Sequence, residues 1–113
     1  MGKVIWIDIL TPKQGNLFSV LSKRLTKQGY KLVLTTRLYR EVNQILEAHR
    51  LKASAIGKHG GAGIEEKLWA SAERVTKLAK FISRRKPDVA LSFSSPEAAR
   101  VAFGLGIPHL CIS

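Results

Sequence analysis

The chain has 113 residues, 45% of them apolar and 24% charged, with 19 lysines and arginines against 8 acids and a formal net charge of +11. Such a length allows one globular domain that buries roughly 65% of its unfolded surface, and no apolar run approaches the ~18 residues of a membrane span. A single cysteine excludes an internal disulfide and a multi-cysteine metal site, and three dispersed histidines form no His-x-x-x-His pair, so neither a metal nor a cofactor is expected.

The start, Met-Gly-Lys-Val-Ile-Trp-Ile-Asp, lacks a signal-peptide layout because Asp8 interrupts a short apolar stretch, and Gly2 has no Ser or Thr at position 6 to make a lipidation site. The chain reads as cytoplasmic. Val4-Ile5-Trp6-Ile7 with Ile9-Leu10 predicts a first strand covered on both faces. Thr11-Pro12-Lys13-Gln14-Gly15-Asn16 breaks it, and a helix follows with Leu17, Val20, Leu21 and Leu25 as its apolar stripe, ended by Gly29. Leu32 to Thr36 predicts the second strand, Arg40 to Ala48 a helix with Val42, Ile45 and Leu46 inward, and Ala53 to Ile56 a weaker third strand. The glycine-rich stretch IGKHGGAG (residues 56–63) comes next, and then a long helix from Ile64 to Arg85 with the stripe Ile64, Leu68, Ala72, Val75, Leu78, Ala79 and Ile82. Val89-Ala90-Leu91 predicts a fourth strand. Ser94-Ser95-Pro96-Glu97 then gives a hydroxyl cap, proline at the first helical position and a carboxylate in the first turn. That helix ends at Gly104, and His109 to Ile112 forms the last strand, in which Cys111 is expected to be a buried, inert thiol.

Strands alternating with helices over short connections call for right-handed crossovers and a parallel sheet, an α/β fold in three layers. The expected order is 3-2-1-4-5, with the first and fourth strands adjacent at a switch point, outside whose carboxyl ends ligands bind. Thr11 to Gln14, Gly57 to Gly63 and Ser92 to Ser95 fall at those ends.

The glycine stretch matches neither Gly-x-x-x-x-Gly-Lys-Ser/Thr nor Gly-x-Gly-x-x-Gly. Its unhindered amides before a helix could grip an anion or a sugar hydroxyl, with Lys58 and His59 adding charge and a titratable donor; equally, the glycines could serve only as a mobile joint. Ser94 and Ser95 have a capping job that is compatible with facing the crevice. Lys13 and Gln14 open the first helix, where a lysine gains nothing from the helix dipole and so points to anion binding. Asp8, inside a strand, is either a hydrogen-bonded structural anchor, the favoured reading, or a site residue one turn below the crevice. Arg37 and Arg40 stand where ribose or phosphate discrimination occurs in dinucleotide folds, against the plainer reading of solvated arginines. No Ser-His-Asp, Cys-His or carboxylate pair assembles from the sequence, so the catalytic residues are unknown.

The first forty residues carry eight bases against one acid, Asp8. That excess favours anionic partners, whether phosphorylated small molecules or nucleic acid. Lys77, Lys80, Arg84, Arg85 and Lys86 line the outer face of the long helix, but no interleaved aromatics offer bases a stacking platform. Trp69, beside the stripe, either covers the helix edge or faces a partner.

The segments WIDILTPKQGNLF, TTRLYREVNQIL, IGKHGG and KPDVALSFSSPEAARVAFGLGIPHLCI together resemble the N-terminal half of an uncharacterised archaeal family of domains of unknown function. That family is grouped with the two-domain glycosyltransferase-B (GT-B) enzymes and the non-hydrolysing UDP-N-acetylglucosamine 2-epimerases. The resemblance spans essentially the whole chain and implies a Rossmann-like half of a GT-B fold. Its crevice would face a second half, which in the family supplies most nucleotide-diphosphate contacts. It implies that Thr11, Lys13, Gln14, Gly57, Lys58, His59, Gly60, Gly61, Ser94, Ser95 and Glu97 face a sugar or acceptor. Where the epimerases carry Gly-Asp-Thr after the fourth strand, this chain has Ser94-Ser95-Pro96, with no carboxylate at the aspartate's place. Ending at Ser113, it is expected to be a fragment or natural truncation, or to pair with a separately made C-terminal domain or with itself. The expected function is the acceptor- or sugar-side domain of a nucleotide-sugar protein, not catalytic alone; a small basic module for nucleic acid or another polyanion is the alternative.

Overall fold

The structure, a computed structural model, describes residues 2–112. Strands β1 (Val4–Asp8), β2 (Lys31–Leu38), β3 (Ser54–Lys58), β4 (Val89–Phe93) and β5 (His109–Ile112) alternate with helices α1 (Pro12–Lys27), α2 (Arg40–Ala48), α3 (Ile64–Arg85) and α4 (Pro96–Leu105). The five strands form one sheet in the order β3-β2-β1-β4-β5, the order expected from the alternation, and every pairing is parallel. All carboxyl ends therefore share one rim, and the chain reverses direction across the sheet between β1 and β4.

Each face of the sheet has its own core. Ile5, Ile7, Ile9, Leu34 and Leu91 pack with Phe18 of α1 and with Val42 and Leu46 of α2. Trp6 and Ala90 pack with Leu78 and Ile82 of α3 and with Ala98, Val101 and Ala102 of α4. Alternate residues of β1 thus feed opposite cores, which is why its sequence is apolar without alternation.

The structure corrects half of the expected face of α1: Leu21 and Leu25 pack against the core as expected, whereas Leu17 and Val20 do not. The helix starts at Pro12, capped by Thr11, whose Oγ1 accepts from the Gln14 amide at 3.3 Å, so the supposed break is already its first turn. The buried positions are Gly15, Phe18, Ser19 and Ser22, while Leu17 and Val20 are 47% and 55% exposed. Small residues let the helix backbones close: a Cβ on Gly15 would lie 3.1 Å from Ile45 Cγ2. Ser19 is satisfied within its own helix, donating to the Gly15 carbonyl at 2.6 Å. Close approach decides the rotation of α1, and leucine content does not.

The bounds of α3 are the expected ones, yet Ile64 and Leu68 are 87% and 66% exposed and Ala72 also faces out; fully buried apolar positions begin at Leu78. A 22-residue helix is about 33 Å long, whereas the neighbouring five-residue strands span about 16 Å. The first turns of α3 therefore project past the rim of the sheet. Cys111 is exposed rather than buried, because β5 is an edge strand. Among the described residues, no helix is long and apolar enough to cross a membrane.

The rotation of α1 can be checked by urea unfolding. Phe18→Ala should cost about 3–5 kcal/mol, whereas Leu17→Ala and Val20→Ala should each stay within about 0.5 kcal/mol. The reverse ranking would restore the leucine stripe.

Candidate functional site

Asp8 ends β1 fully buried, so its carboxylate must find partners inside the fold. Four donors meet it. Oδ1 accepts from Thr35 Oγ1 at 2.7 Å and from Arg74 Nη2 at 2.6 Å; Oδ2 accepts from Arg74 Nη1 at 2.9 Å and from Ser95 Oγ at 2.6 Å. Trp6 Nε1 supports Thr35 by donating to its hydroxyl at 2.8 Å. The anchor reading of Asp8 holds.

Arg74 of α3, 1% exposed, is the counterpart. Besides Asp8, Nη1 donates to Glu97 Oε1 at 3.1 Å, Nη2 to the Thr36 carbonyl at 3.2 Å and Nε to the Ile56 carbonyl at 2.8 Å. All five guanidinium donors are thereby used. Burial alone would lower the Arg74 pKa, but the hydrogen bond and charge of Asp8, followed by Glu97, outweigh it and raise it above its ordinary value. Glu97 lies in the first turn of α4, where the helix dipole favours a carboxylate, and its Oε2 also accepts from Ser71 Oγ at 2.7 Å.

Gly57 belongs to this arrangement. It lies within β3, not in a loop, with φ of +75°, and a Cβ there would stand 2.6 Å from Arg74 Cγ. The missing side chain is the space through which the Arg74 stem passes. Gly60 likewise allows the loop to touch α3, since its Cβ would lie 2.7 Å from the Lys67 Cα. His59 is exposed, stacks on Tyr39 with centroids 4.9 Å apart, and accepts from the Gly61 amide at Nδ1 over 3.1 Å.

Above the network opens a cavity of about 360 Å³, lined by Lys58, His59 and Gly60, by Arg37 from β2, by Lys67 and Ser71 of α3, and by Pro96 and Glu97 of α4, with Arg74 at its base. The structure thus places Lys58, His59, Gly60 and Glu97 together, with Gly57 and Gly61 adjoining in sequence. Ser95 lies beneath them, its hydroxyl spent on Asp8 and on the Ala98 amide at 3.1 Å. Ser94 is exposed with φ of +51° and donates to the Ile112 carbonyl at 3.3 Å. Thr11, Lys13 and Gln14 do not line the cavity, because α1 covers the opposite face of the sheet. Gln14 ties the switch point instead: Oε1 accepts from the Leu10 amide at 3.0 Å and Nε2 donates to the Phe93 carbonyl at 3.4 Å. Lys13 is exposed on the first turn of α1.

The basic run at the end of α3 is exposed and partly engaged. Lys77 pairs with Glu73 at 3.1 Å, and Arg85 lies 3.4 Å over the Phe81 ring. Among the described residues, no group of three His, Cys, Asp or Glu side chains could hold a metal ion.

Arg74 and Ser71 are what sequence reasoning missed. The signal was present: an acid inside a buried strand requires a base, and Arg74 stands four and eight residues before the core positions Leu78 and Ile82.

Residues 3–113 match the family described as "Protein of unknown function (DUF354)". The chain belongs to that family. It is 38% identical over 108 residues to the uncharacterized protein MJ0665 of Methanocaldococcus jannaschii, covering 96% of this chain and 31% of that protein, so it spans less than a third of its archaeal relative. Among solved structures, MurG of Acinetobacter baumannii superposes with a TM-score of 0.78 at 17% identity, over 98% of this chain and 34% of MurG. UDP-GlcNAc 2-epimerase from Neisseria meningitidis, bound to UDP-GlcNAc, superposes at 0.77 and 16% identity, over 96% of this chain and 32% of the epimerase. Such identities show the fold: this DUF354 unit has the Rossmann-like architecture found in GT-B glycosyltransferases and UDP-GlcNAc 2-epimerases, about a third of whose chains it covers.

Arg74→Met removes the base bonded to two buried acids and should cost about 3–5 kcal/mol in urea unfolding. Arg74→Lys should recover little, since a lysine supplies three donors in place of a five-donor fork. An Arg74→Met protein as stable as the parent would remove the network's structural role. A second expectation concerns His109, whose Nε2 lies 2.8 Å from Ser92 Oγ. Burial lowers its pKa, and the charge of Asp8 opposes this only in part. The unfolded chain then binds the proton more readily, so stability is full above about pH 6.5 and falls as the pH drops from there towards the lowered folded value. His109→Gln should flatten that part of the stability–pH curve.

Proposed function

We propose that this DUF354 unit is the acceptor- or sugar-side Rossmann-like domain of a GT-B-like nucleotide-sugar protein, and that it completes a catalytic site only together with a second domain. The cavity carries this reading. It lies at the carboxyl rim of a parallel sheet, where such folds hold ligands, and it gathers Lys58, His59 and Gly60 with the start of α4 around a rigid polar base. The likeness to proteins solved with UDP-GlcNAc and with UDP supports a ligand of that class. Asp8 and Glu97 are both held by Arg74, which suits these two carboxylates to holding the base of the cavity. Lys58 and Lys13 would add charge for a phosphorylated group, with Lys13 acting from the α1 side of the crevice.

The nucleic-acid alternative has weaker support, because it rests on net charge and the α3 bases are partly engaged with Glu73 and Phe81. A complementing C-terminal domain is the partner that this reading requires.

Amide NMR shifts on adding UDP-GlcNAc test the proposal. Saturable changes are expected at Lys58 to Gly61 and Ser94 to Glu97, stronger when the second domain is present. An unchanged spectrum in both conditions would overturn it.

A further inference from the structure

One buried guanidinium donor beside the cavity is not used by the fold. Arg37 lines the cavity from the end of β2, and its Nε is shut away from solvent without any hydrogen-bond partner. Leaving a buried guanidinium donor unpaired is costly. The contrast with Arg74, which spends every donor on the protein, makes the unpaired donor a property of Arg37 and not of the region. Lys58 and Lys67 line the same cavity, and among the described residues neither has an ion-pair partner. Three cations without assigned anions therefore surround one space.

Glu97 gives that space a second character. Its Oε1 accepts from Arg74 and its Oε2 from Ser71, and each carboxylate oxygen keeps one further acceptor direction. The cavity thus offers donors for an anion together with an acceptor for hydroxyl groups. Its volume of about 360 Å³ is near the lower end for ligand sites, room for one ring and its substituent and not for an entire nucleotide-sugar.

We propose that the cavity binds a single sugar ring bearing an anionic group, a phosphate or a carboxylate, with Arg37 as the residue that selects for the anion. Lys58 and Lys67 raise the local anion concentration, and Glu97, fixed by Arg74 and Ser71, orients the ring through its hydroxyls. The inference deepens the acceptor-side reading and rests on it for the assignment of this ligand as the acceptor.

The test titrates the intact protein with glucuronate, glucose 6-phosphate, methyl glucoside and inorganic phosphate, followed by amide shifts, for the parent, Arg37→Gln and Arg37→Lys. At least one sugar anion should bind tenfold or more tightly than both methyl glucoside and inorganic phosphate, with shifts at Arg37, Lys58 to Gly60, Ser71 and Glu97. Arg37→Gln should lose about tenfold of that affinity, as expected for a charge-assisted bond, and Arg37→Lys should fall between because it keeps the charge without the fork. Preference for glucose 6-phosphate names the phosphate, and preference for glucuronate the carboxylate. Equal binding of methyl glucoside, equal binding of inorganic phosphate, or an unchanged affinity in Arg37→Gln would each overturn the proposal. If Arg37→Gln fails to fold, Arg37→Lys and the parent's own ligand preference decide the matter. UDP-GlcNAc added to the same samples with the second domain separates the two claims. A response to it without anion preference sinks this inference and leaves the domain reading, and anion preference without that response does the reverse.

Discussion

The fold is organised around one buried guanidinium. Arg74 joins the end of β1 through Asp8, the start of α4 through Glu97, and the carbonyl ends of β2 and β3 through Thr36 and Ile56. Two carboxylates and one guanidinium leave an excess negative charge out of water, an arrangement that would be costly if any partner were missing. Thr35, Ser71 and Ser95 complete the shells of the two acids, and the dipole of α4 favours Glu97 in its first turn. Apolar packing sets the layers; this cluster sets where their ends stand relative to one another.

The same cluster explains why the cavity has a firm base. Side chains bonded at each polar atom have few alternative rotamers, so Glu97 and Ser71, whose one hydroxyl proton goes to Glu97, present fixed acceptor positions at the carboxyl rim. Gly57 and Gly60 contribute by absence, one admitting the Arg74 stem and the other the body of α3. Glycines that could have served a ligand directly are thus first of all devices for close approach.

Much of this was legible in the sequence because it depends on local rules. Hydrophobic period and punctuation locate nine elements, the crossover rule gives the strand order, and Ser95-Pro96 announces α4 correctly. Asp8 is recognisable as an anchor because a carboxylate inside an apolar strand is tolerated only when neighbours bond it. What stayed hidden depends on pairing between distant segments. Arg74 looks like one more base on a basic helix until Asp8, 66 residues away, is known to face it. Leu17 and Val20 mimic a core stripe because the rule weighs side-chain size, whereas Gly15 and Ser19 win by letting α1 approach α2. Ile64 and Leu68 continue the α3 period beyond the end of the sheet, where period no longer implies cover.

Ser95 reaches Asp8 across 87 residues, and this span governs the order of events during synthesis. A growing chain can pair β1 with β2 early, from contacts close in sequence. Until the start of α4 has left the ribosome, however, the Asp8 carboxylate lacks one of its four donors and the guanidinium lacks its second acid. Desolvating the central acid is therefore a late step in the folding of this unit, and the heart of the sheet stays wet until α4 has joined it.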